Sequence, residues 1–218
     1  MLELLLPQRC VVCAARGVQV CERCRTGLPR IAPPLCNRCG APTSWPVNRC
    51  AECSGRRLAF ASARAAVAYD DAVRTLVGAW KEKGLRRLVR LAANSVVEFL
   101  DRPEGTLVAV PADRDRSLKR GHEPATQLAR DLACRWELPF EPILRRTRPG
   151  DRQRGLSIRE RRANVRGAFV AAEVPSRVVL VDDVYTTGAT VNAAASALRK
   201  AGARRVDVVT FARTIRIR

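Results

Sequence analysis

Residues Val178–Thr190 read Val-Val-Leu-Val-Asp-Asp-Val-Tyr-Thr-Thr-Gly-Ala-Thr. The first four are apolar, mostly β-branched and do not alternate with polar residues, the pattern of a strand covered on both faces in the middle of a parallel sheet. The run closes on two carboxylates, Asp182 and Asp183, and a hydroxyl-rich turn with one glycine follows. Beyond it Val191, Ala194, Ala195 and Leu198 recur at helical spacing. The unit is therefore strand, turn, helix, with its polar groups at the carboxyl end of a central strand, where open α/β sheets hold their ligands.

The chemistry of the turn follows from its residue types. Thr186, Thr187, Gly188, Ala189 and Thr190 lie where the chain enters a helix. Unpaired N–H groups and the helix dipole favour a phosphate there. Gly188 permits close approach of the main chain, and the threonines add hydroxyl donors. Asp182 and Asp183 accept hydrogen bonds only and suit a vicinal diol. Phosphate and diol together describe a ribose 5-phosphate. Each feature alone is what an ordinary strand end or helix cap contains; the unbroken series points to a ligand.

Working outward, α/β patterning begins near Ser54. Ala65–Tyr69 predicts a short strand, and the residues after Asp70 and Asp71 predict a helix leading to Lys81–Gly84. Leu85, Leu88, Val89, Ala92, Val96 and Phe99 mark a second helix, and Thr106–Pro111 the next buried strand. Residues 112–121 read as a basic loop; Ala125, Leu128, Ala129, Leu132, Ala133 and Trp136 then form one helical face. Cys134 lies off that stripe and reads as a bystander. Phe140–Leu144 is a candidate short strand, 145–167 is arginine-rich with few core residues, and Arg205–Phe211 supplies a closing strand. Alternation of strands and helices predicts a parallel, doubly wound sheet.

Eight of the nine cysteines fall in residues 1–55 as four Cys-x-x-Cys pairs: Cys10/Cys13, Cys21/Cys24, Cys36/Cys39 and Cys50/Cys53. Four thiolates at this spacing complete a tetrahedral zinc site, so eight make two structural sites. A disulfide framework is the rival; an acid at position 3 and a short apolar run argue against a signal peptide, and a cytoplasmic, reducing location is expected. Grouping in sequence order is topologically simplest, with metal supplying the stability that residues 1–55 lack as a core. Removing it should unfold that segment and leave 56–218 standing.

The chain carries 40 Lys and Arg against 21 Asp and Glu, a net charge of +19. Such a surface attracts polyanions, yet only four of the bases are lysine, and an arginine excess of this kind also marks a GC-rich genome. Charge alone leaves both open. No apolar run approaches the ~18 residues of a membrane span.

These residues carry two resemblances. Val178–Thr190 resembles the phosphoribosyl-pyrophosphate (PRPP) signature of type I phosphoribosyltransferases. The whole chain resembles the ComF family of competence-associated proteins: a Leu-Leu-Pro stretch and double zinc ribbon at 4–53, a Lys-x-x-Gly element at Lys81–Gly84, a Val-Pro strand end, basic stretch and Gln-Leu-Ala helix at Val110–Ala129, and a Gln-x-Gly-Leu-Ser segment at Gln153–Phe169. The resemblance implies a type I phosphoribosyltransferase-like sheet flanked by helices, behind an N-terminal double zinc ribbon. It implies PRPP with Mg²⁺ as ligand, with Arg116, Lys119 and Arg120 facing the pyrophosphate and Arg154 on a lid formed by 152–166. For some members it implies handling of single-stranded DNA with the DNA-uptake machinery, as an alternative to phosphoribosyl transfer. One departure stands out: His122-Glu123-Pro124 replaces the family's Phe-Asn-Gln after Arg-Gly. His122, the only histidine, has no partner in sequence that would orient it as a base.

Overall fold

In this computed structural model, which describes residues 8–147 and 167–216, the strand read from Val178–Val181 is real and longer than expected. β5 (Arg177–Tyr185) runs on through both aspartates. The reason is its neighbour: β6 (Arg205–Arg213) stays paired from Arg177↔Arg205 through Asp182↔Thr210 to Tyr185↔Arg213. The carboxylates thus sit within the last turns of pleat, held by the ladder. β1 (Ser62–Ala68) and β2 (Thr106–Ala109) complete a four-stranded sheet in the order β1-β6-β5-β2, parallel throughout.

The helices divide between the two faces. α2 (Asp71–Glu82), α3 (Leu88–Phe99) and α5 (Pro124–Trp136) pack on one, where Trp80, Leu128 and Leu132 meet Val179, Val181 and Phe211. α6 (Ala189–Lys200) packs on the other, where Ala194, Ala195 and Leu198 meet Val178, Leu180 and Val208. Alternate residues of β5 therefore feed two cores, which explains a run with no polar member. Asp70 starts α2 by accepting a 2.8 Å bond from Val73 N–H.

The N-terminal segment wraps the sheet from both sides. α1 (Glu22–Thr26) is its one helix among the described residues. Val11, Val12 and Val20 pack against the three-helix core, whereas Cys36, Cys39, Ala41 and Cys53 are members of the α6-side core.

Two expectations are corrected. The supposed basic loop contains α4 (Arg114–Arg120), because no breaker interrupts it until Gly121, whose left-handed φ of 63° ends the helix. Phe140–Leu144 is not a strand: Phe140 makes an isolated bridge to Leu107, and the paired segment is β3 (Leu144–Arg146), antiparallel to β4 (Phe169–Ala171). Pro142, which lacks an N–H donor, separates the two.

Candidate functional site

The connection from β5 to β6 crosses the α6 face, whereas α2, α3 and α5 cross the other, so the winding reverses between β2 and β5. A cleft of about 490 Å³ opens at the carboxyl ends of these two strands. Its walls include Val110–Asp113 after β2, Asp182, Asp183, Thr186 and Thr190 around the end of β5, Lys81 and Glu82 of α2, and Arg146 of β3. This is the switch-point position at which open α/β sheets bind ligands.

The two acids differ in setting. Asp183 is buried and its Oδ1 meets Lys81 Nζ at 2.6 Å. Asp182 is half-buried, its Oδ1 accepting from Asp183 N–H at 2.9 Å. Burial, with the Asp183 charge added, pushes the Asp182 carboxyl up to about 8, against the opposing pull of Lys81 and Arg146. A ligand that brings hydroxyl donors or positive charge to this carboxyl relieves that cost.

The loop after them is divided. Thr186 is exposed and Thr190 half-buried, and both line the cleft. Thr187, Gly188 and Ala189 are buried and do not. The Thr187 hydroxyl accepts from Ala189 N–H at 3.2 Å, and the Thr187 carbonyl accepts from Arg56 Nη2 at 2.9 Å. Three equivalent threonine donors were expected; one is turned inward to shape the loop. Gly188 stands at φ 70° as the N-cap of α6, and a Cβ there would lie 2.2 Å from the Tyr185 hydroxyl. A side chain is excluded on both counts.

Among the expected anion-facing bases, Arg120 lines the cleft and pairs with Glu82 at 2.5 Å. The side chains of Arg116 and Lys119, and all of Arg154 with the 152–166 lid, lie outside the described structure. His122 is buried, its ring nitrogens each 3.0 Å from a carbonyl oxygen, Nδ1 from Arg120 and Nε2 from Trp80. It joins the end of α4 to α2 and does not reach the cleft. Glu123 does line it, with its carboxylate accepting from Ser117 and Thr126 hydroxyls at 3.2 and 2.8 Å. Cys134 is exposed. The sequence marks Lys81 only by its spacing and Arg146 only as one of the arginines of 145–167; both line the cleft. Nothing in sequence distinguishes Arg146 from the arginines around it; pairing of β3 with β4 places it.

The eight ribbon cysteines form two clusters in sequence order, Cys10/Cys13/Cys21/Cys24 and Cys36/Cys39/Cys50/Cys53, each with its sulfurs within 4.8 Å of one another. The neighbouring pairs Cys13–Cys21, Cys36–Cys53 and Cys39–Cys50 are 3.5, 3.6 and 3.5 Å apart. A tetrahedron with Zn–S bonds of about 2.3 Å has edges of about 3.8 Å, and a disulfide is about 2.05 Å, so the clusters fit zinc. Each also aims a backbone N–H at its first sulfur, Cys21 N at Cys10 Sγ (3.4 Å) and Cys50 N at Cys36 Sγ (3.3 Å). Such donors favour thiolate: burial opposes ionisation, but the N–H groups outweigh it and bring Cys10 down to about 6 and Cys36 to about 7.

Residues 1–54 match the double zinc ribbon domain, and residues 117–216 match the phosphoribosyl transferase domain. Competence protein F of Haemophilus influenzae is 30% identical over 94% of this chain and 96% of its own length. The DNA utilization protein YhgH of Salmonella typhimurium is 29% identical over 97% of this chain and all of its own. Competence protein ComFC of Streptococcus pneumoniae is 26% identical over 88% of this chain and 86% of its own.

Proposed function

The chain belongs to the ComF family, proteins that join a double zinc ribbon to a phosphoribosyltransferase domain, and from that premise we propose that its cleft binds PRPP with Mg²⁺ and transfers the phosphoribosyl group to an acceptor. The observation that supports this most is convergence: Asp182, Asp183, Thr186 and Thr190 meet in one cleft at the carboxyl edge of the sheet, opposite Lys81 and Arg120. Asp182 and Asp183 accept from the ribose hydroxyls. Thr186, Thr190 and the amides at the start of α6 hold the 5′-phosphate, with Thr187, Gly188 and Ala189 shaping that loop. Arg120 and Arg146, together with Arg116, Lys119 and Arg154, face the pyrophosphate. Glu123 keeps its negative charge at the cleft wall, with one hydroxyl donating to each carboxylate oxygen, so the bases around the cleft must outweigh it for a polyanion to bind. Mg²⁺ supplies charge to the pyrophosphate; the carboxylates here hold and orient the sugar.

Calorimetry with Mg²⁺-PRPP tests the reading. Measured above pH 8, where the Asp182 carboxyl is ionised, the double variant Asp182→Asn, Asp183→Asn should lose about 1.5–3 kcal/mol per charge-assisted bond to the diol. Unchanged affinity would place PRPP elsewhere. Pyrophosphate release in the presence of a panel of bases then separates transfer from binding alone.

A second reading has its own observation. Arg86, Arg87, Arg90 and Arg130 line a shallow groove on the α3–α5 surface, where the acid present, Asp131, is already paired with Arg135. Four guanidinium groups against one neutralised carboxylate suit a phosphate backbone. On this reading the protein handles single-stranded DNA in competence, the process for which Competence protein F is named.

A further inference from the structure

The second cysteine cluster and the phosphate loop are joined by buried side chains. Arg213, at the end of β6, is 1% exposed. Its Nη1 donates to the carbonyl of Cys39, and its Nη2 to Glu52 Oε2 at 3.0 Å. Cys39 is a cluster member, and Glu52 lies between two others, Cys50 and Cys53. One face of the same guanidinium stacks on the Tyr185 ring, 5.0 Å from its centroid. Tyr185 is the residue that leads into the loop; its ring is held edge-on by Phe60, and its hydroxyl sits against Gly188. Burial pushes that hydroxyl up to about 12, so it stays protonated at neutral pH.

A second tie lies three residues past the last cysteine, where Arg56 donates to the Thr187 carbonyl at 2.9 Å. A third follows, Ala59 N–H to Asn192 Oδ1 on the first turn of α6 at 2.8 Å. On the sheet side, Ala63 N–H donates to the Arg38 carbonyl at 3.0 Å, and a Cβ at Gly40 would fall 2.3 Å from the Ala63 carbonyl oxygen. The ribbon is therefore seated directly on β1. Comparable ties from the first cluster to the loop are absent among the described residues.

We propose that Arg213 and Arg56 are positioning residues through which the second four-cysteine cluster, when metallated, sets the shape of the phosphate loop. The physical argument is one of over-determination. A glycine enters the left-handed conformation freely, so Gly188 alone does not fix this loop; its seat against the Tyr185 hydroxyl and the inward turn of the Thr187 hydroxyl need neighbours that hold them. Here the neighbours are fixed by a knuckle whose geometry is fixed by four sulfurs. Without the metal, Cys39 and Glu52 lose their mutual placement, Arg213 loses both acceptors, and the ring beneath Gly188 is released. The proposal rests on reading the loop as a phosphate site, but its central claim concerns loop geometry and is tested without a ligand.

The experiment uses the full-length zinc protein. Hydrogen exchange is followed at the Thr187–Val191 amides, with the β6 core amides as an internal check that the domain stays folded. Arg213→Lys keeps the charge but cannot span Cys39, Glu52 and the ring together; loop exchange should rise at least tenfold with β6 unchanged. Tyr185→Phe keeps the ring and should leave loop exchange within twofold of wild type, whereas Tyr185→Leu should not. Arg56→Met gives a variant that leaves β6 intact should Arg213→Lys fail to fold, and loop exchange should rise there too. Coupling is reciprocal, so Mg²⁺-PRPP should slow zinc release from the second cluster to a chelator by tenfold or more and leave the first unaffected, with the release phases assigned by Cys13→Ser. Loop exchange unmoved in both Arg213→Lys and Arg56→Met, with β6 protected, would overturn the proposal. If wild type binds no PRPP and loop exchange still follows Arg213, the coupling stands and the ligand reading falls.

Discussion

The two cysteine clusters have the same ligand set and a similar N–H···S bond, yet they occupy different physical worlds. In the second, Cys36, Cys39 and Cys53 are 0–2% exposed and sit in the hydrophobic core shared by α6, β5 and β6. In the first, Cys10 is buried, Cys13 is exposed, and the cluster meets the opposite face of the sheet through Val11, Val12 and Val20. A zinc knuckle is usually regarded as a small fold standing beside a larger one. Here one knuckle stands beside the domain and the other is part of its packing. The lesson is that identical coordination chemistry says nothing about how far its loss will spread; burial of the ligands does.

The largest effect that could break this contrast is metal loss. A structural zinc supplies about 10–16 kcal/mol of apparent binding free energy. Cys39→Ser should lower zinc content from two ions to one and bring down the thermal midpoint of the whole sheet domain, since the vacated thiolates belong to its core. Cys13→Ser should also lower zinc to one ion, with the domain midpoint falling far less. Elemental analysis and calorimetric unfolding of the two variants check this. Equal losses would mean that the first ribbon's valine contacts matter as much as the second's buried sulfurs.

That contrast was only partly legible in sequence. The spacing of the cysteines disclosed the four pairs, because ligand geometry is local, but left sequential and interleaved groupings open; the fold brings them together in sequence order. The spacing also suggested that 1–55 would unfold alone, because nothing in Cys36–Cys53 announces that Arg213, some 160 residues later, bonds to Cys39 and Glu52. Likewise Val178–Val181 disclosed a central strand and Asp182, Asp183 and Thr186 an edge that lines the cleft, since those signals are compositional and contiguous. The extension of β5 to Tyr185 was hidden because it depends on the partner strand. Thr187 looked like Thr186 and Thr190 until folding turned its hydroxyl inward. Residues 114–120 read as loop from charge, and charge does not stop a helix.

The two faces meet at the cleft, and the next effect is felt there. The folded Asp182 carboxyl titrates at about 8, above its ordinary value of 3.8. Between those pH values the folded chain holds a proton that the unfolded chain releases, so this group costs stability as pH rises. Asp182→Asn escapes the cost. Its advantage over wild type without ligand should be absent below pH 4, grow toward pH 8 and then level off, at about 1–2 kcal/mol after discounting for partial solvent access. Denaturant titrations across that range check the sign; parallel stability profiles for the two proteins would mean that Lys81 compensates the burial fully.

The smallest expected effect concerns the face that carries the first ribbon. If the arginine groove there serves DNA while the cleft serves PRPP, the two ligands should respond to different substitutions. Arg87, Arg90 and Arg130 have no acidic partner among the described residues; Arg130 lies over the Phe140 ring, 5.5 Å from its centroid. Replacing all three with Ser should weaken single-stranded DNA binding without sequence preference. Each phosphate contact contributes about 0.7 to the slope of log K against log salt, so the slope should flatten by about 2. PRPP affinity should be unchanged, because none of the three lines the cleft. The second-cluster variants should do the reverse, losing PRPP before DNA. Should the triple variant keep its DNA slope, the groove's charge is only surface basicity, in line with an arginine-rich composition, and the strand lies elsewhere. A common loss of both ligands would instead mean that cleft and groove act as one site, and the division between the two faces of the sheet would fail at its functional end.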